Sequence, residues 1–156
     1  MLDIQSWHPL TVHFPIAFLM LSGFLSLYLL IRYSRPLAKF NLGLMGLGIL
    51  SAFLSLYTGD IEDGKVSRIL CDPTVLKTHE NYAYYMIWCY VTLFIFWFAK
   101  LYSVIRHYKV IMTLFIVISS IAGLGTLIYT GHLGASLVYK QAAGVKVPGE
   151  DCSDFN

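Results

Sequence analysis

Four stretches of this chain run for about the width of a bilayer without one Asp, Glu, Lys or Arg: Phe14–Ile31, Phe40–Thr58, Tyr82–Ala99 and Val110–Gly131. A helix needs roughly 20 apolar residues to cross the hydrocarbon core. Backbone polar groups find no water there, so a span must satisfy them internally, as a helix does. Composition agrees: 57% of the residues are hydrophobic and 13% charged, about half the charged share of an ordinary soluble domain. The expected fold is all-α, an integral membrane four-helix bundle of up-down topology. The helices are expected at about 9–32, 38–58, 79–102 and 108–139, with a loop at 59–78 and a tail at 140–156, all in a single transmembrane domain. A cleaved leader would need a positive N-terminal region and a short apolar core. This N-terminus carries Asp3 and neither Lys nor Arg, and the first run is too long, so it is expected to stay as a helix.

Charge gives the bundle a direction. Arg32, Arg35, Lys39, Lys100, Arg106 and Lys109 occupy the two tight connections, whereas all nine acidic residues, among them Asp60, Glu62, Asp63 and Glu80, lie at the other end. The positive-inside rule puts the tight connections in the cytoplasm. Both termini and the 59–78 loop then face outward, toward the periplasm of a bacterial inner membrane. Cys71 and Cys152 fall in outward segments, where an oxidising compartment permits a bridge. Neither belongs to a Cys-x-x-Cys or Cys-x-x-Cys-His arrangement, which argues against covalently attached c-type haem.

Small residues at i, i+4 spacing, Gly48/Ala52 and Ser119/Gly123, allow close helix packing in lipid. A short internal repeat is also visible. Tyr57-Thr58-Gly59-Asp60 ends the second helix and Tyr129-Thr130-Gly131-His132 the fourth, while His13 and His79 stand near the starts of the first and third. Each half therefore reads as a helical hairpin with a histidine at its outer start.

Four of the five histidines, His8, His13, His79 and His132, gather at the outer ends of helices; His107 lies in a basic inner connection. Thr11 is a good N-cap for the first helix, which would set Pro15 in the first turn, where its missing N–H costs no intrahelical bond. His8 and His13 are five apart, about 140° around a continuous helix, so one ion could not take both from a regular helix. Three readings stand beside one another. The histidines are interfacial and simply hydrogen-bonded; or they are axial ligands of b-type haem, one or two groups; or three of them with Asp60 or Glu80 hold a transition metal ion. In an up-down bundle the first and third helices are diagonal, so His13 and His79 form the expected first haem pair. His132 with His8 would then form a second pair or a supporting shell. The metal reading takes His13, His79, His132 and Asp60.

The strings His8-Pro9-Leu10-Thr11-Val12-His13-Phe14-Pro15-Ile16-Ala17 and Thr130-Gly131-His132-Leu133-Gly134-Ala135-Ser136-Leu137-Val138-Tyr139, followed by Gly144-Val145, carry a resemblance. They resemble a domain-of-unknown-function family of small four-helix bacterial inner-membrane proteins, across nearly the whole chain. The family's histidines map onto His8, His13, His79 and His132; Gly134-Ala135 departs from its usual Gly-Gly. The resemblance implies the fold, and its association with cytochrome-c-like modules implies a redox setting.

The chain has no nucleophile–base pair, phosphate loop or nucleic-acid signature. The expected function is a membrane-embedded b-type haem electron carrier, or a redox-complex subunit, with its site near the outer face. The expected partners are the bilayer and a redox protein or membrane complex. The alternatives are a non-haem metal-binding membrane protein and a cofactor-free accessory subunit.

Overall fold

A computed structural model describes residues 7–102 and 108–145. It contains α1 (Trp7–Thr11), α2 (His13–Ile31), α3 (Arg35–Val66), α4 (Pro73–Leu101) and α5 (Lys109–Gln141). Together α1 and α2 make one span, Trp7–Ile31, and α3, α4 and α5 make three more. Helix α2 packs on α3 and α5, as does α4, so α2 and α4 lie diagonally across an up-down ring.

Each helix begins or ends for a local reason. At α4 the Asp72 carboxylate accepts the Thr74 N–H at 2.9 Å and its hydroxyl at 2.6 Å. These bonds cap the helix and hold that carboxyl below its ordinary range. Pro73 follows at the first helical position, where it loses nothing. This Asp-Pro signal starts α4 six residues before the expected boundary at 79. At the far end of α5, Ala142 turns left-handed (φ 52°). The N–H groups of Ala142 and Ala143 then close the last turn on Val138 and Leu137.

Two expectations about the end that carries Thr11 and the 59–78 segment need correction. Thr11 is not an N-cap: the helix has already begun at Trp7, and the Thr11 hydroxyl donates backward to the His8 carbonyl at 3.0 Å. Pro15 therefore sits inside the span, where its missing N–H breaks the regular bonding near Val12 and divides α1 from α2. The 59–78 segment is also mostly helix rather than loop. Loss of apolar character at Gly59-Asp60 ends the lipid-facing surface, not the backbone hydrogen bonding, so α3 continues to Val66. Its 32 residues span about 48 Å at 1.5 Å each, well beyond the hydrocarbon core.

The bundle is built of two like hairpins, α2–α3 and α4–α5. Leu19 seats against Gly48 in the first as Tyr90 seats against Gly123 in the second. The same register pairs Met45 with Ser120, Ala52 with Leu127, Ser55 with Thr130, Thr58 with Leu133 and Glu62 with Leu137, and all ten are buried. The expected triplet alignment, Thr58 with Thr130, is thus displaced by three residues, because packing level sets the repeat and the three-letter match does not.

The diagonal helices touch at the centre. Tyr90 donates its hydroxyl to the Leu19 carbonyl at 2.9 Å, fully buried. A side chain at Gly23 would stand 2.9 Å from that hydroxyl, so the missing Cβ is what lets the phenol reach the α2 backbone. Tyr90→Phe is expected to cost about 1–2 kcal/mol, the worth of one buried hydrogen bond. Thermal unfolding in detergent measures this, and an unchanged midpoint would deny the bond any weight. Outside the core, Leu47, Leu50, Phe53, Ile118 and Ile121 are exposed on the bundle surface, where lipid takes the place of water.

A candidate histidine-pair site at one end of the bundle

A cavity of about 480 Å³ opens at the end where the α3–α4 connection and both described chain ends meet. His8, Asp60, Glu62, His79, Glu80 and Leu137 are among the residues that line it. Its volume is that of an ordinary small-molecule site, about 300–1,000 Å³.

His8 and His79 are held by the same device. Nδ1 of His8 is 2.9 Å from the Ser55 carbonyl oxygen, and Nδ1 of His79 is 3.0 Å from that of Thr130. A carbonyl can only accept, so each Nδ1 carries a proton, and in the neutral imidazole Nε2 is the atom with the lone pair. Ser55 and Thr130 are matched positions in the two hairpins, as are Gly59 and Gly134. A Cβ at Gly59 would lie 3.1 Å from Cε1 of His8, and one at Gly134 would lie 3.2 Å from Cε1 of His79. The glycines therefore give both rings room against the helix they bond. The ring centroids stand 6.4 Å apart with planes at 87°.

Polar neighbours fix α1 in place. The His8 N–H donates to Oε1 of Glu62 at 3.1 Å, and the hydroxyls of Thr11 and Thr58 lie 3.0 Å apart. Thr58 Oγ1 is also 3.4 Å from Nδ1 of His8.

The expected ligands divide. His79 and His8 come together, whereas His13 and His132 have exposed side chains and do not line the cavity. The structure thus brings His8, and not His13, beside His79. Because α1 and α2 are nearly collinear, the five-residue spacing turns His13 away from the face that carries His8. Asp60 lines the cavity but is exposed. Among the described residues no three His, Cys, Asp or Glu side chains gather as a metal site. His107 and Cys152 lie outside the described residues; Cys71 is exposed and Cys89 partly buried.

Sequence reasoning missed Glu62, Gly59 and Gly134. Glu62 was within reach, since Ser55, Thr58 and Glu62 follow helical spacing once α3 is continued past Gly59. The backbone acceptors at Ser55 and Thr130 leave no residue-type signal.

No curated protein and no solved structure matches the chain. One family model does, over residues 5–147, described as a predicted membrane protein (DUF2231). That match takes in all four spans and both histidines of the cavity, and on this ground the chain belongs to the DUF2231 family of predicted membrane proteins.

Proposed function

We propose that the chain is a b-type haem electron carrier, or the haem-bearing subunit of a membrane redox complex, with His8 and His79 as the axial ligands. The observation that carries this reading is the matched pair of imidazoles. A metal–nitrogen bond of about 2.0 Å plus roughly 1.1 Å from that nitrogen to the ring centre would put the ring centres of two imidazoles that shared one metal at most about 6.2 Å apart. The two rings here stand at 6.4 Å. Each has its Nδ1 hydrogen-bonded to a backbone carbonyl, which fixes the ring and leaves Nε2 as the nitrogen that would hold a metal.

Ligand count favours haem over a bare ion. A lone zinc or copper ion asks the protein for three or four donors; haem brings four nitrogens of its own and asks for two axial ones. Bound there, the iron would carry one electron at a time. The chain's part is to hold two neutral imidazoles and to screen them from water with Leu56, Leu137 and Val138. A bare cation keeps one argument in its favour: Asp60, Glu62, Asp63 and Glu80 line the cavity, and no Lys or Arg among the described residues does.

The charge asymmetry of the sequence supports an outward site in a bacterial inner membrane, with Arg32, Arg35, Lys39 and Lys100 at the cytoplasmic end. A redox partner would then dock on the outer face, above the cavity.

The reduced-minus-oxidised spectrum of the detergent-purified protein tests the reading. A Soret band with sharp alpha and beta bands is expected. A colourless protein with stoichiometric metal would transfer the site to the cation reading. A colourless and metal-free one, from cells replete in both, would leave an accessory subunit.

A further inference from the structure

The two halves of the chain, α1 to α3 and α4 to α5, put one histidine each into the cavity, yet the walls behind those histidines differ in charge. Matched positions read Thr58 and Leu133, Asp60 and Ala135, Glu62 and Leu137, Asp63 and Val138. The α3 wall is acidic where the α5 wall is apolar. Within it, Glu62 is the one charged side chain among the buried residues described, at 8% exposure. Its recorded partner is neutral, the backbone N–H of His8 at 3.1 Å. The single ion pair among the described residues is Lys77–Glu80, and Lys77 does not line the cavity.

A buried carboxylate that meets only neutral donors pays much of its desolvation cost uncompensated. It becomes favourable when a positive charge enters beside it. We infer that Glu62 is the resident counter-charge of this site, which favours the oxidised, more positive state of the centre held by His8 and His79. The inference rests on the haem reading above.

The other described groups facing the cavity cannot supply the same effect. Asp60 and Asp63 on α3 are exposed, so water screens them. Glu80 on α4 is neutralised by Lys77 at 2.6 Å. From α5 the cavity receives Leu137 and Val138. His8 and His79 are the ligands themselves. Glu62 touches the site through the His8 backbone, so it is a positioning and charge-setting residue and not a ligand.

The test is a redox titration of the haem-loaded protein, read at the alpha band. Glu62→Gln keeps an oxygen to accept the His8 N–H and removes the charge. Loss of a negative charge disfavours the oxidised form, so the midpoint is expected to rise. A tenfold change in the equilibrium between the two states is about 59 mV for one electron, and a shift of that order is expected. Asp63→Asn, on the exposed rim, is expected to leave the potential unchanged. Leu137→Glu, which copies the carboxylate onto the matched wall, is expected to lower it, and carries the test if Glu62→Gln does not accumulate. An unmoved potential in Glu62→Gln, with haem retained, overturns this inference and spares the haem reading. So does an equal rise in Asp63→Asn. A wild-type protein without haem overturns both.

Discussion

Alanine at either His8 or His79 is expected to abolish the haem spectrum, whereas alanine at His13 or His132 leaves it intact. On the proposed function each of the first two would remove one of two axial nitrogens, and no other imidazole among the described residues lines the cavity to replace it. Mutating even a supporting partner of a metal-bound histidine commonly costs about 10- to 100-fold in affinity, so loss of a ligand itself should exceed that. The fold should survive, because both imidazoles are only half-buried. Circular dichroism provides the check on folding, and haem-to-protein ratio the readout. Loss of haem in His13→Ala with retention in His8→Ala would reverse the ligand assignment and restore the pairing expected from sequence.

Valine at Gly48 is expected to loosen the bundle itself. A Cβ there would stand 2.5 Å from Cδ2 and 2.9 Å from Cγ of Leu19, and 3.2 Å from Cβ of Phe18. Leu19 is fully buried and cannot swing aside, and its carbonyl is the acceptor of the Tyr90 hydroxyl. Helix α2 must therefore move away from α3, at a cost of about 1–3 kcal/mol for overpacking. Displacement of Leu19 would also strain the diagonal Tyr90 bond, which raises the cost. Gly125→Ala is the control: a Cβ there meets nothing within 4 Å, and alanine should match or improve stability by up to about 1 kcal/mol. Unfolding of both variants in detergent decides the matter. Equal stability of Gly48→Val and the parent would show that the two helices do not meet as closely as described.

The sequence made the four spans and their diagonal order legible, because uncharged runs of bilayer length leave the backbone few options. The small residues Gly48 and Gly123 were legible as packing positions for the same reason. The site was legible only in part. His79 stood out by type and place, but seeing which histidine lies beside it required knowing that α1 continues into α2, and Pro15, two residues after His13, argued for a fresh start instead. The end of α3 was misjudged because the apolar run stops at Gly59, whereas the helix bonds on through Glu62 to Val66. Glu62 was hidden by that error. The bonds from the imidazoles to the carbonyls of Ser55 and Thr130 use groups that every residue owns, so no composition could announce them.

The matched hairpins bear on descent. Each half, the first with α1 ahead of its hairpin, contributes one histidine, one carbonyl acceptor and one glycine, which on the proposed function would be half of a ligand pair. Two copies of such a hairpin, face to face, would complete the pair without any new residue. The present chain has the form that fusion of such a dimer would leave. On that history the twin imidazoles are the older feature. On that history the contrast between Glu62 and Leu137 arose once the two copies could change separately.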